Sequence, residues 1–160
     1  MVTIQILCVG KLKESFWTAA EAEYAKRLSS FCKIEITQLP EEKLPENPSG
    51  AQIETALARE GTAILTRVPK NARITALCVE GETVSSEALA SWLTRQMVDG
   101  VSTLVFVIGG SYGLHPTVKN AAHLRLSMSP MTFPHHLARI MVLEQLYRAF
   151  KINEGSKYHK

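Results

Sequence analysis

The chain has 160 residues, 46% of them hydrophobic, with 18 Lys and Arg against 15 Asp and Glu and a formal net charge of +3. That length and apolar content suit one domain over residues 1–160 and exclude two independent ones, each of which would be marginal. The mild basic excess permits a polyanionic partner without requiring one, and is far from the charge of a histone or an arginine-rich arm.

Cys8, Cys32 and Cys78 each sit in an apolar or strand-like run, and none forms a C-x-x-C pair. This usage fits free thiols in a reducing cytosol better than a disulfide framework. Residues 1–10 lack a basic leader and a small-residue cleavage site, so no signal peptide is expected. No stretch approaches the length of a membrane span. A soluble, cytoplasmic protein is expected.

Residues 2–9 alternate in part and stop at Gly10, as a strand and turn would. Trp17, Ala20, Tyr24 and Leu28 then form one stripe of a helix over residues 14–30. In residues 33–37, Ile34 and Ile36 face one way, and Lys33, Glu35 and Thr37 the other, which reads as a half-buried strand. Residues 40–50, PEEKLPENPSG, can continue neither element. They read either as a flap or as a plain connector. A helix follows from Ser49 or Gly50 to about Arg67, and residues 73–79 form a strand. Ser85 caps a helix running to Met97.

Residues 103–108, TLVFVI, are almost wholly apolar, like a parallel strand covered on both faces. Gly109, Gly110, Ser111, Tyr112 and Gly113 follow at once, and Pro116 suits the first turn of a short helix. Leu124, Leu126 and Met128 alternate as a short strand, and Pro134 opens a last helix to about Ile152. Strands and helices alternate throughout, so the class is α/β, with a mainly parallel sheet flanked by helices. Periodicity alone gives an unknotted, flavodoxin-like sheet.

Three features could carry chemistry. The first is the GGSYG turn, since ligands of parallel sheets bind beyond the carboxyl ends of the strands. Its G-G-x-x-G spacing is not G-x-G-x-x-G, and no Walker lysine follows. It reads as a ligand wall or simply as a tight turn. The second is the last helix, apolar nearly all round yet holding Arg139, Glu144, Gln145 and Arg148. Such a helix is buried in the fold or against another chain. Glu144 and Arg148 stand four apart and suit a structural pair. Alternatively, the arginines meet phosphate or developing negative charge at a subunit boundary. The third is the tail Lys157, Tyr158, His159 and Lys160, which reads as frayed by itself. It also holds groups able to stack, move a proton and meet phosphate. The five histidines lack ligand spacing, so no metal is expected. A serine hydrolase is unsupported, with no G-x-S-x-G and Asp99 the only aspartate.

Taken in order, Val107 to Leu114 (VIGGSYGL), Met131 to His135 (MTFPH), Leu143 to Ala149 (LEQLYRA) and Tyr158-His159 resemble the RlmH family. Val9 to Lys13 (VGKLK) and Pro45-Glu46-Asn47 extend the match, which covers the whole chain. This is a family of SPOUT-class methyltransferases acting on bacterial large-subunit ribosomal RNA. The resemblance implies a C-terminal trefoil knot over residues 103–160, a rare exception to the usual connection rules. It implies a homodimer packed through the last helix. It implies S-adenosylmethionine as cofactor, held by Leu77, Gly109, Met128, Ser129, Pro130, Met131, Thr132 and Phe133. It implies methyl transfer to N3 of a pseudouridine in 23S ribosomal RNA, with the assembled ribosome as the partner. His159 or His135 is then the candidate acceptor of the imide proton. Arg139 or Arg148 would stabilise the imidate or grip phosphate. Tyr158 and His159 would close over the base held at the neighbouring subunit's site. The rival readings are a nucleotide-dependent α/β enzyme with the GGSYG turn on a phosphate, and a non-catalytic RNA-binding module.

Overall fold

A computed structural model describes residues 1–160. Five strands and five helices alternate: β1 (Thr3–Val9), α1 (Ser15–Leu28), β2 (Lys33–Leu39), α2 (Gly50–Thr66), β3 (Arg73–Thr83), α3 (Ser86–Val98), β4 (Thr103–Ile108), α4 (Pro116–Ala121), β5 (Leu124–Ser127) and α5 (His135–Asn153). Local signals set most boundaries. Ser49 and Gln52 form a reciprocal capping box at α2. The Ser85 hydroxyl accepts the Ala88 amide at α3, and Pro116 occupies the first turn of α4.

The strands form one all-parallel sheet in the order β2-β1-β4-β3-β5. This is not the flavodoxin-like order, 2-1-3-4-5. The apolar β4 inserts between β1 and β3, and all but its first residue are buried. A strand buried on both faces belongs at a sheet's centre. Consequently α2 carries the chain past two strand positions, and the α4 segment carries it over β3 to β5.

Alternate β1 and β4 side chains build two cores. On one face Ile4, Ile6, Leu104 and Phe106 meet Leu28 of α1, Leu93 of α3, and Leu143 and Leu146 of α5. On the other, Leu7, Val9, Val105 and Val107 meet Ile64 of α2 and Val118 of α4. The sheet is thus covered by three helices on one side and two on the other.

β3 runs four residues further than the sequence suggests. It pairs with β5 through Leu77↔Leu126, and again through Glu82↔Leu126, so Cys78 to Gly81 bulge outward. Gly81 permits this: a Cβ there would lie 2.8 Å from the Arg125 carbonyl carbon. The bulge aims Cys78, Val79 and Glu80 at the space beyond the sheet edge.

One charge is buried among these elements. Arg139 of α5 is 1% exposed. Its guanidinium donates to Glu21 Oε2 of α1 at 3.2 Å, Gln38 Oε1 of β2 at 3.0 Å and the Gly10 carbonyl at 3.0 Å. Arg139→Ala is expected to cost about 3–5 kcal/mol, since it leaves buried acceptors without their cation. Glu21→Ala should cost less, because that side chain is 19% exposed. Urea denaturation of both variants checks the ranking.

Candidate active site at the carboxyl edge of the sheet

β3, β4 and β5 end around a cavity of about 680 Å³. Its walls are the Leu77–Glu80 bulge, the turn after β4, residues 126–129 and residues 131–135. The glycine turn is a backbone device. Gly113 has φ +83°, in the region that favours glycine. A Cβ on Gly109 would lie 2.5 Å from the Gly113 carbonyl oxygen. Only glycine lets the chain double back this closely, bridging Gly110 to Gly113.

The opposite wall is held by short-range hydrogen bonds. Ser127 Oγ donates to the Ser129 carbonyl at 2.9 Å, and the Met131 amide donates to Ser129 Oγ at 3.1 Å. These hold residues 127–131 in a turn on the cavity wall.

Most of the residues singled out in the sequence meet here. Leu77, Gly109, Met128, Ser129, Met131, Thr132 and Phe133 all line the cavity, as does His135. Pro130 is exposed and outside the lining. Cys78, Glu80 and Lys119 also line it and escaped the sequence reading. They arrive through the β3 bulge, which leaves no distinct pattern, and through α4, whose place beside β3 no short window of sequence contains. Glu80 and Lys119 form an ion pair, and the lysine holds the Glu80 carboxyl below the usual carboxylate range. Burial pushes the Cys78 thiol up, so it is a poor nucleophile.

A second recess of about 390 Å³ adjoins the first and shares Met128. Arg148, His159, Glu144, Gln145, Ser86 and Met141 complete it. Arg148 binds Glu144 at 2.6 Å, the i, i+4 pair expected from spacing. The tail folds onto this pair. Tyr158 Oη donates to Glu144 Oε1 at 3.1 Å, and its ring meets Tyr147 edge-on at 5.0 Å and lies under Arg148 at 4.8 Å. Burial, then the hydrogen bond to Glu144, raises the Tyr158 phenol above its usual range, so it stays protonated. His159 sits between Glu87, 2.7 Å from Nε2, and Arg148, 3.2 Å from Nδ1. Within this chain the tail is therefore docked rather than frayed. It also covers part of the α5 face that looked too apolar for solvent.

Arg139 corrects one assignment. It lies beneath the cavity and not on its wall, with its guanidinium taken up by Glu21, Gln38 and Gly10. At 1% exposure it cannot reach a phosphate or a substrate imidate. Its signal in sequence, a charge in an apolar helix, fits a buried structural ion just as well.

A family model described as "Predicted SPOUT methyltransferase" matches residues 2–159. The chain belongs to the SPOUT methyltransferase family. This SPOUT chain is also similar in structure to "a probable methylase family protein from Haemophilus influenzae Rd KW20". The TM-score is 0.52 at 13% identity, covering 98% of this chain and 70% of that one. At such identity the likeness speaks to the fold alone. No helix of this SPOUT methyltransferase is long and apolar enough to cross a membrane, and no group of three His, Cys, Asp or Glu gathers to hold a metal.

His135 is the one imidazole on the main cavity. Burial, then the neighbouring charges of His136 and Arg139, hold its pKa below the usual value, against an opposing pull from Glu41. The ring is thus neutral at physiological pH and able to take a proton. A base with a lowered folded pKa contributes stability above its unfolded value of about 6.5. That contribution is lost as pH falls through the folded value. A ring-proton NMR titration is expected to place the His135 midpoint below 6.5, and His135→Asn should flatten stability against pH in that window.

Proposed function

We propose that this SPOUT methyltransferase uses S-adenosylmethionine to methylate N3 of a pseudouridine in large-subunit 23S ribosomal RNA, working as a homodimer on the assembled ribosome. One observation carries the reading. Seven of the eight positions that the RlmH resemblance assigns to the cofactor (Leu77, Gly109, Met128, Ser129, Met131, Thr132 and Phe133) line a single cavity. Five of the seven share the segment 128–133, and Leu77 of β3 and Gly109 after β4 join them from distant parts of the chain.

The cavity fits the cofactor chemically. Its volume of about 680 Å³ lies in the roughly 300–1,000 Å³ range of small-molecule sites. Leu77, Leu114, Leu126 and Phe133 offer an apolar slot for an adenine, and the turns at 109–113 and 127–131 offer backbone groups. Bound there, S-adenosylmethionine supplies a methyl group already activated by the sulfonium, so the reaction needs no metal. The protein has to align the nucleophile and remove the N3 proton. Neutral His135 on the wall and His159 in the adjoining recess are the candidate acceptors. Arg148, exposed to the recess, would meet phosphate or the imidate charge.

The knot over residues 103–160, dimer packing through α5 and a composite site belong to this reading. Tyr158 and His159 would serve a neighbouring subunit by leaving Glu144 and Glu87. The SPOUT domain is only mildly basic, with a formal net charge of +3, so the assembled ribosome is taken to supply the docking surface. The base would be splayed from its loop, where it can stack on an aromatic ring.

Mass spectrometry of ribosomal RNA from cells lacking the protein is expected to miss one methyl on a pseudouridine; an unchanged modification profile overturns the target. Deleting residues 158–160 should lower methylation about 100-fold or more while cofactor affinity stays within about twofold. Undiminished activity would remove the tail from the mechanism. Gly109→Ala is expected to weaken S-adenosylmethionine binding by about tenfold or more, because the turn must shift to relieve its 2.5 Å contact. Isothermal titration calorimetry measures both affinities.

A further inference from the structure

The turn after β4 stands where many parallel α/β proteins cradle a phosphate on backbone amides. Here the amide is already taken. Ser111 donates its N–H to Glu41 Oε1 at 2.9 Å, across 70 residues of sequence. The same carboxylate fills the space beside Gly110: a Cβ there would lie 2.7 Å from Glu41 Oε1 and 3.0 Å from its Cδ. Gly110 does not have positive φ, so what excludes a side chain there is this carboxylate together with Val9, not the backbone conformation.

Glu41 is delivered by the Pro-rich segment at 40–50, whose sequence left its role open. That segment is itself fastened, since the Glu42 amide donates to Glu60 Oε2 of α2 at 2.9 Å. The charges around the cavity point the same way. Its only lysine or arginine, Lys119, is paired with Glu80. His135 is kept neutral by burial. Glu41 is not itself part of the cavity lining, so a phosphate entering this site would find the Ser111 amide engaged behind the turn and no uncommitted cation on the wall.

We propose that Glu41 is a specificity-determining residue: its carboxylate occupies the anion position of the glycine turn and so selects an uncharged or cationic nucleoside over a nucleoside phosphate. The proposal rests on the cavity being the S-adenosylmethionine site. It converts a turn that could have held a phosphate into one that favours a sulfonium nucleoside. The segment 40–50 thereby has a function as the carrier of an internal substitute for the phosphate.

Calorimetry with three probes tests it: S-adenosylhomocysteine, ADP and adenosine, each against wild type, Glu41→Gln and Glu41→Ala. Glu41 is exposed at the surface, so both variants should fold, and their melting temperatures verify this. Wild type is expected to bind S-adenosylhomocysteine and to reject ADP. Glu41→Gln keeps an acceptor for Ser111 but drops the charge, and should gain ADP affinity. Glu41→Ala also frees the amide and should gain more, about tenfold over wild type, from loss of one repulsive charge near a polyanion. Adenosine and S-adenosylhomocysteine should change less than about threefold. If wild type binds S-adenosylhomocysteine and neither variant gains ADP affinity, the role of Glu41 is overturned while the cofactor reading stands. If wild type binds no S-adenosylhomocysteine, the cofactor reading fails and takes this proposal with it.

Discussion

The site depends on a buried cation. Arg139 joins the end of β1, β2, α1 and the first turns of α5 through a single guanidinium. An ion removed from water must be matched by hydrogen bonds, and each acceptor here belongs to a different element. The register of α5 against the sheet is therefore set by geometry as well as by apolar packing, which alone would tolerate sliding. Because α5 begins at His135, fixing Arg139 four residues later also fixes His135 and Phe133 on the cavity wall.

Around that anchor, the two halves of the cavity wall use opposite means. The turn after β4 relies on missing side chains: Gly109 is pressed against Gly113, and Gly110 yields its space to Glu41. Residues 127–131 rely on serine hydroxyls bonding nearby backbone. One wall is shaped by close approach and the other by local hydrogen bonding.

Much of this was legible in sequence, for identifiable reasons. Thr103–Ile108 declared itself because a doubly covered strand has no polar face. Ser85, Ser49 and Pro116 declared helix starts because capping is a local interaction. Strand order was not legible, since β4 lies between β1 and β3 through pairings that no short window contains. The same limit hid Cys78, Glu80 and Lys119, which reach the cavity through a bulge and a crossover. Glu41 and Glu87 were missed because each bonds a residue about 70 positions away. Arg139 was noticed and misassigned, since an arginine in an apolar helix looks alike whether its acceptor is a substrate or a carbonyl. The residues expected to hold a cofactor came from family resemblance, not from periodicity; those that line the cavity share position near strand ends, not side-chain type.

The place of α5 in both sequence and core bears on how the chain acquires its shape. Leu143, Leu146 and Phe150 seal the face of the sheet built by Ile4, Ile6, Leu104 and Phe106. During synthesis those strands exist long before the helix that covers them. Until residue 153 has emerged, an apolar parallel sheet stays open on one side, with its pairing dominated by distant partners. Such topologies fold slowly and expose aggregation-prone surface while they wait. The segment that completes the cavity is thus also the one that ends the chain's most vulnerable interval, so a shielding chaperone would matter most before α5 closes.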